Sequence, residues 1–425
     1  MNRIITNTIA SLVLATILQL GCRSSTSTET VIVFWAMGAE GENVQKLIPE
    51  FERRNPGIKV KVQSIPWTAA HEKLLTAYAG NSTPDITQLG NTWIPEFTLL
   101  NALENLNLWI EKSSIVKKEN YFEGIWETNV IDDIPYGIPW YVDTRVMFYR
   151  KDILEQAGYK NPPATWDEWF DASMKIKQLA GAKEKYAVLL PTNEWVPFVV
   201  TGLQNGSTLL KDGNRYGDFS GKEFTEAFEY IMRFYRKKLA PVGITQVTNI
   251  YQGMAEGFFA MYITGPWNIG EFQKRMPPSL QDKWMTAPLP GPDMDTPGVS
   301  LAGGASLVIF RNSTKKEQAW KFIEYLSAVQ QQLEFYKVTG NLPAVEEAWN
   351  DTLFMNNVYV KAFYEQFKHV VPTPKIPEWE QIAMKVQQYA ESASAQKMSV
   401  NQALAELDKD VNIILEKRRW MLNRK

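Results

Sequence analysis

The sequence is poor in the residues that build redox, metal and nucleophilic chemistry. Cys22 is the only cysteine among 425 residues, so no disulfide can form within the chain. The only histidines, His71 and His369, lie far apart and show no metal-ligand spacing, and no metal or cofactor is expected. No Walker or Rossmann glycine pattern is present, because Gly38-Ala39-Glu40-Gly41 lacks the required spacing. A net charge of −2 supplies no positive field for nucleic acid. Beyond the N-terminus, no stretch approaches the roughly 18 uninterrupted apolar residues that mark a membrane span. What the chain has instead is an ordinary globular composition, 45% hydrophobic and 22% charged, with 15 Trp, 17 Tyr and 20 Phe.

Residues 1–22 read as an export signal. Arg3 supplies a positive start, and Ile9 to Leu20 is an apolar run too short to span a bilayer. Gly21-Cys22 closes it and resembles the bacterial lipoprotein box, although Gln19 stands where that box usually has Leu. The resemblance implies diacylglycerol on the Cys22 sulfur and a chain anchored to the outer face of the cytoplasmic membrane. A conventional signal peptide with an incidental cysteine is the alternative. Residues 23–30, small and polar, read as a flexible tether.

Val31–Trp35 is a compact apolar and aromatic run that predicts a buried strand. Gly38 and Gly41 predict a loop, and Val44, Leu47, Ile48 and Phe51 fall at helical spacing. Strands are expected over 58–62 and 85–89, with a helix over 68–79 between them. This alternation predicts crossover units and a largely parallel sheet. Thr165 and Glu168 have capping-box spacing, and Trp169, Ala172, Ile176 and Leu179 form one helical face behind them. Further strands are expected near 186–190, 260–263 and 284–289, and helices over 224–234 and 317–326. The C-terminal stretch reads as helical with a break at 371–378.

Several segments, in order, resemble the bacterial extracellular solute-binding proteins of the maltose-binding type, the sugar-capturing subunits of ABC importers. They include the strand ending in Trp35, Ala79-Gly80-Asn81-Ser82-Thr83-Pro84-Asp85-Ile86, Tyr136-Gly137-Ile138-Pro139 followed by Asp143, and Pro162–Glu168. Gly257–Met261, Gly265-Pro266-Trp267, Gly303-Gly304, Ala319–Leu326 and Gly340-Asn341-Leu342-Pro343 continue the series. The resemblance covers essentially the whole mature chain. It implies a two-lobed α/β fold of the type II periplasmic-binding-protein kind, with a hinged cleft between lobes. By analogy, residues 31–141 and 299–328 form the first lobe, and 142–298 and 329–425 the second. It also implies hinge closure on the ligand, ABC permease subunits as partners and a monomeric state.

A sugar ring offers apolar C–H faces and a rim of hydroxyls, so aromatic plates and carboxylates or amides suit it. Residues just past strand ends are where ligands bind in such sheets. The stacking candidates are Trp35, Trp67, Trp93, Trp140, Tyr141, Trp195 and Trp267. Any one of them also fits core packing. The hydrogen-bonding candidates are Glu40, Asn91, Asp143, Asn193 and Glu194, each of which also fits a cap or a solvated surface. Gly303 and Gly304 would admit close backbone approach of a ligand, or relieve a crowded strand. Trp109, Trp166, Trp320 and Trp420 read as packing residues. A tryptophan-rich cleft with carboxylates also suits a secreted glycoside hydrolase. A binding protein for a polyamine or a peptide is a further alternative.

Overall fold

A computed structural model describes residues 29–181, 184–243, 247 and 249–423. The export signal and Cys22 lie outside the described residues. Two sheets organise the chain. In the larger, the strand order runs 342–343, 138–143, 303–309, 86–90, 30–37 and 58–65. In the smaller it runs 284–287, 146–150, 261–264 and 188–189.

The strand Thr30–Met37 pairs in parallel with Ile58–Ile65 and Ile86–Gly90, as the crossover pattern predicts. Beyond these three the sheet turns antiparallel, because Gly303–Ile309 returns from far along the chain and pairs with both 86–90 and 138–143. The smaller sheet is also mixed: Val146–Arg150 runs antiparallel to both of its neighbours. Leu342–Pro343 pairs with 138–143 in the larger sheet, so the expected assignment of all of 329–425 to the second lobe is corrected at this strand.

Local chemistry explains where the expected elements shift. The predicted 38–41 loop is a short helix, Gly38–Asn43. The single helix predicted over 44–51 is split into a 3₁₀ turn, Val44–Lys46, and a helix, Ile48–Arg54. Pro49 sits in the first turn of that helix, where a proline lacking its N–H costs nothing. Thr165 caps Trp166–Leu179, its hydroxyl accepting from the Glu168 N–H at 3.2 Å. The Glu168 carboxylate reaches back one residue further than a standard capping box, accepting from the Ala164 N–H at 2.8 Å. Trp169, Ala172 and Ile176 are buried on that helix, whereas Leu179 is exposed.

Three stretches run side by side between the sheets. The Thr144 hydroxyl donates to the Leu301 carbonyl at 2.8 Å, and the Ser300 hydroxyl donates to the Arg145 carbonyl at 2.9 Å. Ser300–Leu301 pairs in parallel with Val370–Val371. Backbone stretches near 144–145, 300–302 and 369–371 are thus laced into one narrow bridge. Separate clusters of packed side chains lie against each sheet, and a third, the largest, contains residues of both, among them Phe34 and Trp140 with Phe148 and Trp284.

Candidate functional site

The loops at one end of the larger sheet face loops of the smaller sheet across a cleft of about 570 Å³. Glu40 follows the 30–37 strand, Trp67 follows 58–65, and Asn91, Thr92 and Trp93 follow 86–90. Tyr141 and Asp143 lie at the end of 138–143, beside Gly303 and Gly304. From the opposite side come Glu194 and Trp195, past the 188–189 strand, and Trp267, past 261–264. Eleven of the fourteen residues expected at a site therefore line one cleft.

The other three do not. Trp140 is 1% exposed and stacks on Phe335 with ring centroids 4.4 Å apart. It alternates along its strand with Tyr141, so one residue of register turns the indole into the core. Trp35 is 9% exposed, packed among Leu74, Phe97 and their neighbours, with the Lys73 ammonium 5.0 Å from its ring centre. Asn193 is exposed and is not among the lining residues. Among the tryptophans read as packing residues, Trp166 and Trp320 are buried, but Trp420 is 55% exposed.

The aromatic plates differ in how free they are. Trp267 and Trp67 are 46% and 37% exposed. Trp93 meets Trp67 edge-on at 5.7 Å, and Trp195 meets the buried Trp379 edge-on at 5.5 Å. Gly265 explains part of the Gly265-Pro266-Trp267 motif. A Cβ there would lie 2.0 Å from the Trp267 ring, so only glycine lets the indole fold back over the chain. Gly303 and Gly304 relieve crowding against the neighbouring strand: added Cβ atoms would sit 2.3 Å from the Asp143 carboxylate and from the Tyr141 carbonyl, respectively.

Arg145, which the sequence reading passed over, sits at the centre of the polar face. Its guanidinium lies 3.4 Å from Asp143 and 3.3 Å from Glu194, and 4.7 Å above the Trp267 ring. Burial pushes the Asp143 carboxyl up, Arg145 opposes this, and the Glu40 and Glu194 charges add to it. The Tyr141 hydroxyl accepts from the Gln88 amide at 3.0 Å, and Gln88 in turn accepts from the Met37 N–H at 2.8 Å. Burial, with Glu40 and Asp143 nearby, holds that phenol far above its usual range, so it stays protonated. The Glu40 carboxylate accepts from the Asn341 amide at 2.8 Å. The Asn91 amide is already spent on the Ala302 carbonyl at 2.7 Å.

Asn341, Thr92 and Glu380 also line the cleft and were missed. Asn341 lies inside a motif singled out in the sequence, as Arg145 lies two residues past Asp143. Glu380 gave no local signal: it enters from the C-terminal helix Trp379–Ser394, and its carboxylate accepts from the Thr92 hydroxyl at 2.5 Å. Among the described residues, no cluster of His, Cys, Asp and Glu is arranged to hold a metal ion.

Two mixed sheets joined by a laced bridge, with strand-end loops meeting across an aromatic and acidic cleft, define an α/β periplasmic-binding-protein fold. The model of the bacterial extracellular solute-binding protein family matches residues 36–333, and the chain belongs to that family. Its structure is similar to that of the sugar-binding protein MalE from the phytopathogen Xanthomonas citri, with 44% identity and a TM-score of 0.90. That match covers 93% of this chain and all of that one. The diacetylchitobiose binding protein DasA of Streptomyces coelicolor is 28% identical over 83% of this chain and 81% of its own length. The galactooligosaccharide-binding protein of Bacillus subtilis is 25% identical over 89% of this chain and 88% of its own. The family is one of binding proteins, so this chain is a solute-binding protein and not an enzyme.

Proposed function

We propose that this protein captures a di- or oligosaccharide in the cleft and delivers it to the permease subunits of an ABC importer. The observation that carries the reading is the pair of exposed indoles, Trp67 and Trp267, contributed by loops of different sheets and ringed by carboxylates. An indole face complements the C–H face of a pyranose, and carboxylates accept from its hydroxyls. A cleft of about 570 Å³ has room for more than one sugar ring. The names of the relatives, a sugar-binding, a diacetylchitobiose-binding and a galactooligosaccharide-binding protein, support the same class.

Binding proceeds by closure of one lobe on the other about the bridge at 144–145, 300–302 and 369–371. The lobes are 31–141 with 299–350, whose Phe335 stacks on Trp140 and whose 342–343 strand joins the larger sheet, and 142–298 with 351–425. Release to the permease calls for modest affinity, a Kd on the order of micromolar, or about −8 kcal/mol. The chain acts as a monomer, exported and held at the outer face of the cytoplasmic membrane through lipid on Cys22. Cys22→Ser then leaves the exported protein free of the membrane fraction; retention of that variant overturns the anchor.

The test of the function is a thermal-shift panel on residues 31–425 with mono- and oligosaccharides, polyamines and peptides. A ligand at about 100 times its Kd adds roughly 2.7 kcal/mol to the folded state. Stabilisation by a saccharide that is recovered intact is the expected result. Stabilisation by polyamines or peptides alone would refute the sugar assignment.

A further inference from the structure

The charges on the cleft wall carry a statement about ligand class. Four carboxylates line it, those of Glu40, Asp143, Glu194 and Glu380, against a single guanidinium, that of Arg145. The side chain of Arg145 is 13% exposed and held on three sides, by Asp143, by Glu194 and by the Trp267 ring beneath it. Its hydrogen-bonding fork is therefore directed at protein carboxylates rather than into open solvent.

Lys73, Lys375 and His71, on segments that neighbour the cleft-lining residues, are committed elsewhere. Lys73 lies over the Trp35 ring, outside the cleft lining. Lys375 donates to the carbonyls of Glu127 and Val130. His71, behind Trp93, is bound at 2.6 Å to Glu96. An anionic group entering the cleft would meet several carboxylates in a partly desolvated space and, among the described residues lining it, no unengaged cation. Like charges brought together in such an interface cost far more than in open water.

We propose that the cleft selects neutral saccharides and rejects those bearing a carboxylate or phosphate, with Asp143 and Glu194 as specificity-determining residues that also keep Arg145 from serving as an anion receptor. The inference rests on the cleft being a saccharide site. It goes further by dividing saccharides by charge: uronic-acid oligomers and sugar phosphates are excluded, while uncharged oligosaccharides, including N-acetylated ones, are admitted.

The test is calorimetric titration of the soluble chain with matched ligands. The probes are galactobiose against digalacturonate, and maltose against maltose 6′-phosphate, with maltotriose and diacetylchitobiose as further neutral ligands. Each titration is run at low salt and in about 0.5 M NaCl, where the screening length falls below about 5 Å. The expected result is a neutral ligand that binds and an acidic counterpart at least about tenfold weaker at low salt. That gap should narrow in high salt and narrow again in Glu194→Gln, which removes one carboxylate and loosens Arg145. Glu40→Gln, an independent variant on the opposite side, should narrow it in the same direction.

An acidic ligand that binds as tightly as its neutral counterpart overturns the inference and leaves the saccharide reading standing. A gap insensitive to salt and to both variants also overturns it, because shape rather than charge would then be the cause. If no saccharide of either kind binds, the saccharide reading fails and the inference falls with it.

Discussion

Replacing Trp140 by alanine separates a core tryptophan from a cleft tryptophan in energetic terms. The indole is 1% exposed and meets three rings: Phe335 stacked at 4.4 Å, Phe34 edge-on at 5.7 Å and Tyr141 at 5.9 Å. Truncating a fully buried aromatic side chain costs about 3–5 kcal/mol, through lost transfer energy and the cavity left behind. Trp140→Phe is a different perturbation. The indole N–H is buried without a partner among the described residues, and leaving such a donor unpaired costs about 1–3 kcal/mol. Phenylalanine removes that donor along with some packing, so the two changes oppose each other and the net loss falls well below that of alanine. The assay is urea unfolding of the soluble chain, comparing midpoints at constant slope. A Trp140→Ala variant within about 1 kcal/mol of wild type, or a phenylalanine variant as damaged as the alanine one, would refute the packing account.

The remaining variants probe the cleft and its supports. Trp267→Ala and Trp67→Ala, at exposed positions, should change stability by less than about 1 kcal/mol while weakening saccharide binding by about 2 kcal/mol, some thirtyfold in Kd; titration and unfolding together check both halves. Gly304 has a φ of +129°, and an added Cβ would meet the Tyr141 carbonyl at 2.3 Å, so Gly304→Ala should cost at least about 1–3 kcal/mol in urea unfolding. His71 has its proton affinity raised, chiefly by its hydrogen bond to Glu96, with Glu380 and Glu72 adding charge and burial opposing. A raised folded-state value means that this contribution is complete below the ordinary histidine value of about 6.5 and is lost as pH rises through the folded value. Unfolding midpoints measured from about pH 5.5 to 8.5 should therefore show a fall that His71→Gln lessens.

The sequence exposed the strand ends and, with them, most of the cleft. Glu40, Trp67 and Trp93 were legible because ligands gather just past strand carboxyl ends, and the 30–37, 58–65 and 86–90 strands are strongly patterned. Trp140 was misread for a reason inherent in strands: adjacent residues face opposite sides, and a wholly apolar run does not say which side is core. Trp35 sits near the end of a strand with its last four residues buried, and the same ambiguity hid it. Arg145 was overlooked because a single basic residue between the apolar, aromatic runs 138–142 and 146–149 reads as an ordinary surface charge. Glu380 was beyond reach of local reading, since only the folded C-terminal helix brings it beside Thr92. The antiparallel return of 303–309 through the larger sheet was equally hidden, because its pairing with 86–90 spans more than two hundred residues.

The central claim is that a saccharide binds between Trp67 and Trp267. Its most direct test is a crystal structure of the soluble chain grown with the best-binding oligosaccharide from the panel. The account predicts sugar density in the cleft, with a ring face against at least one of the two indoles and hydroxyls on Glu194 or Glu40. Sugar bound elsewhere, with these side chains untouched, would contradict it.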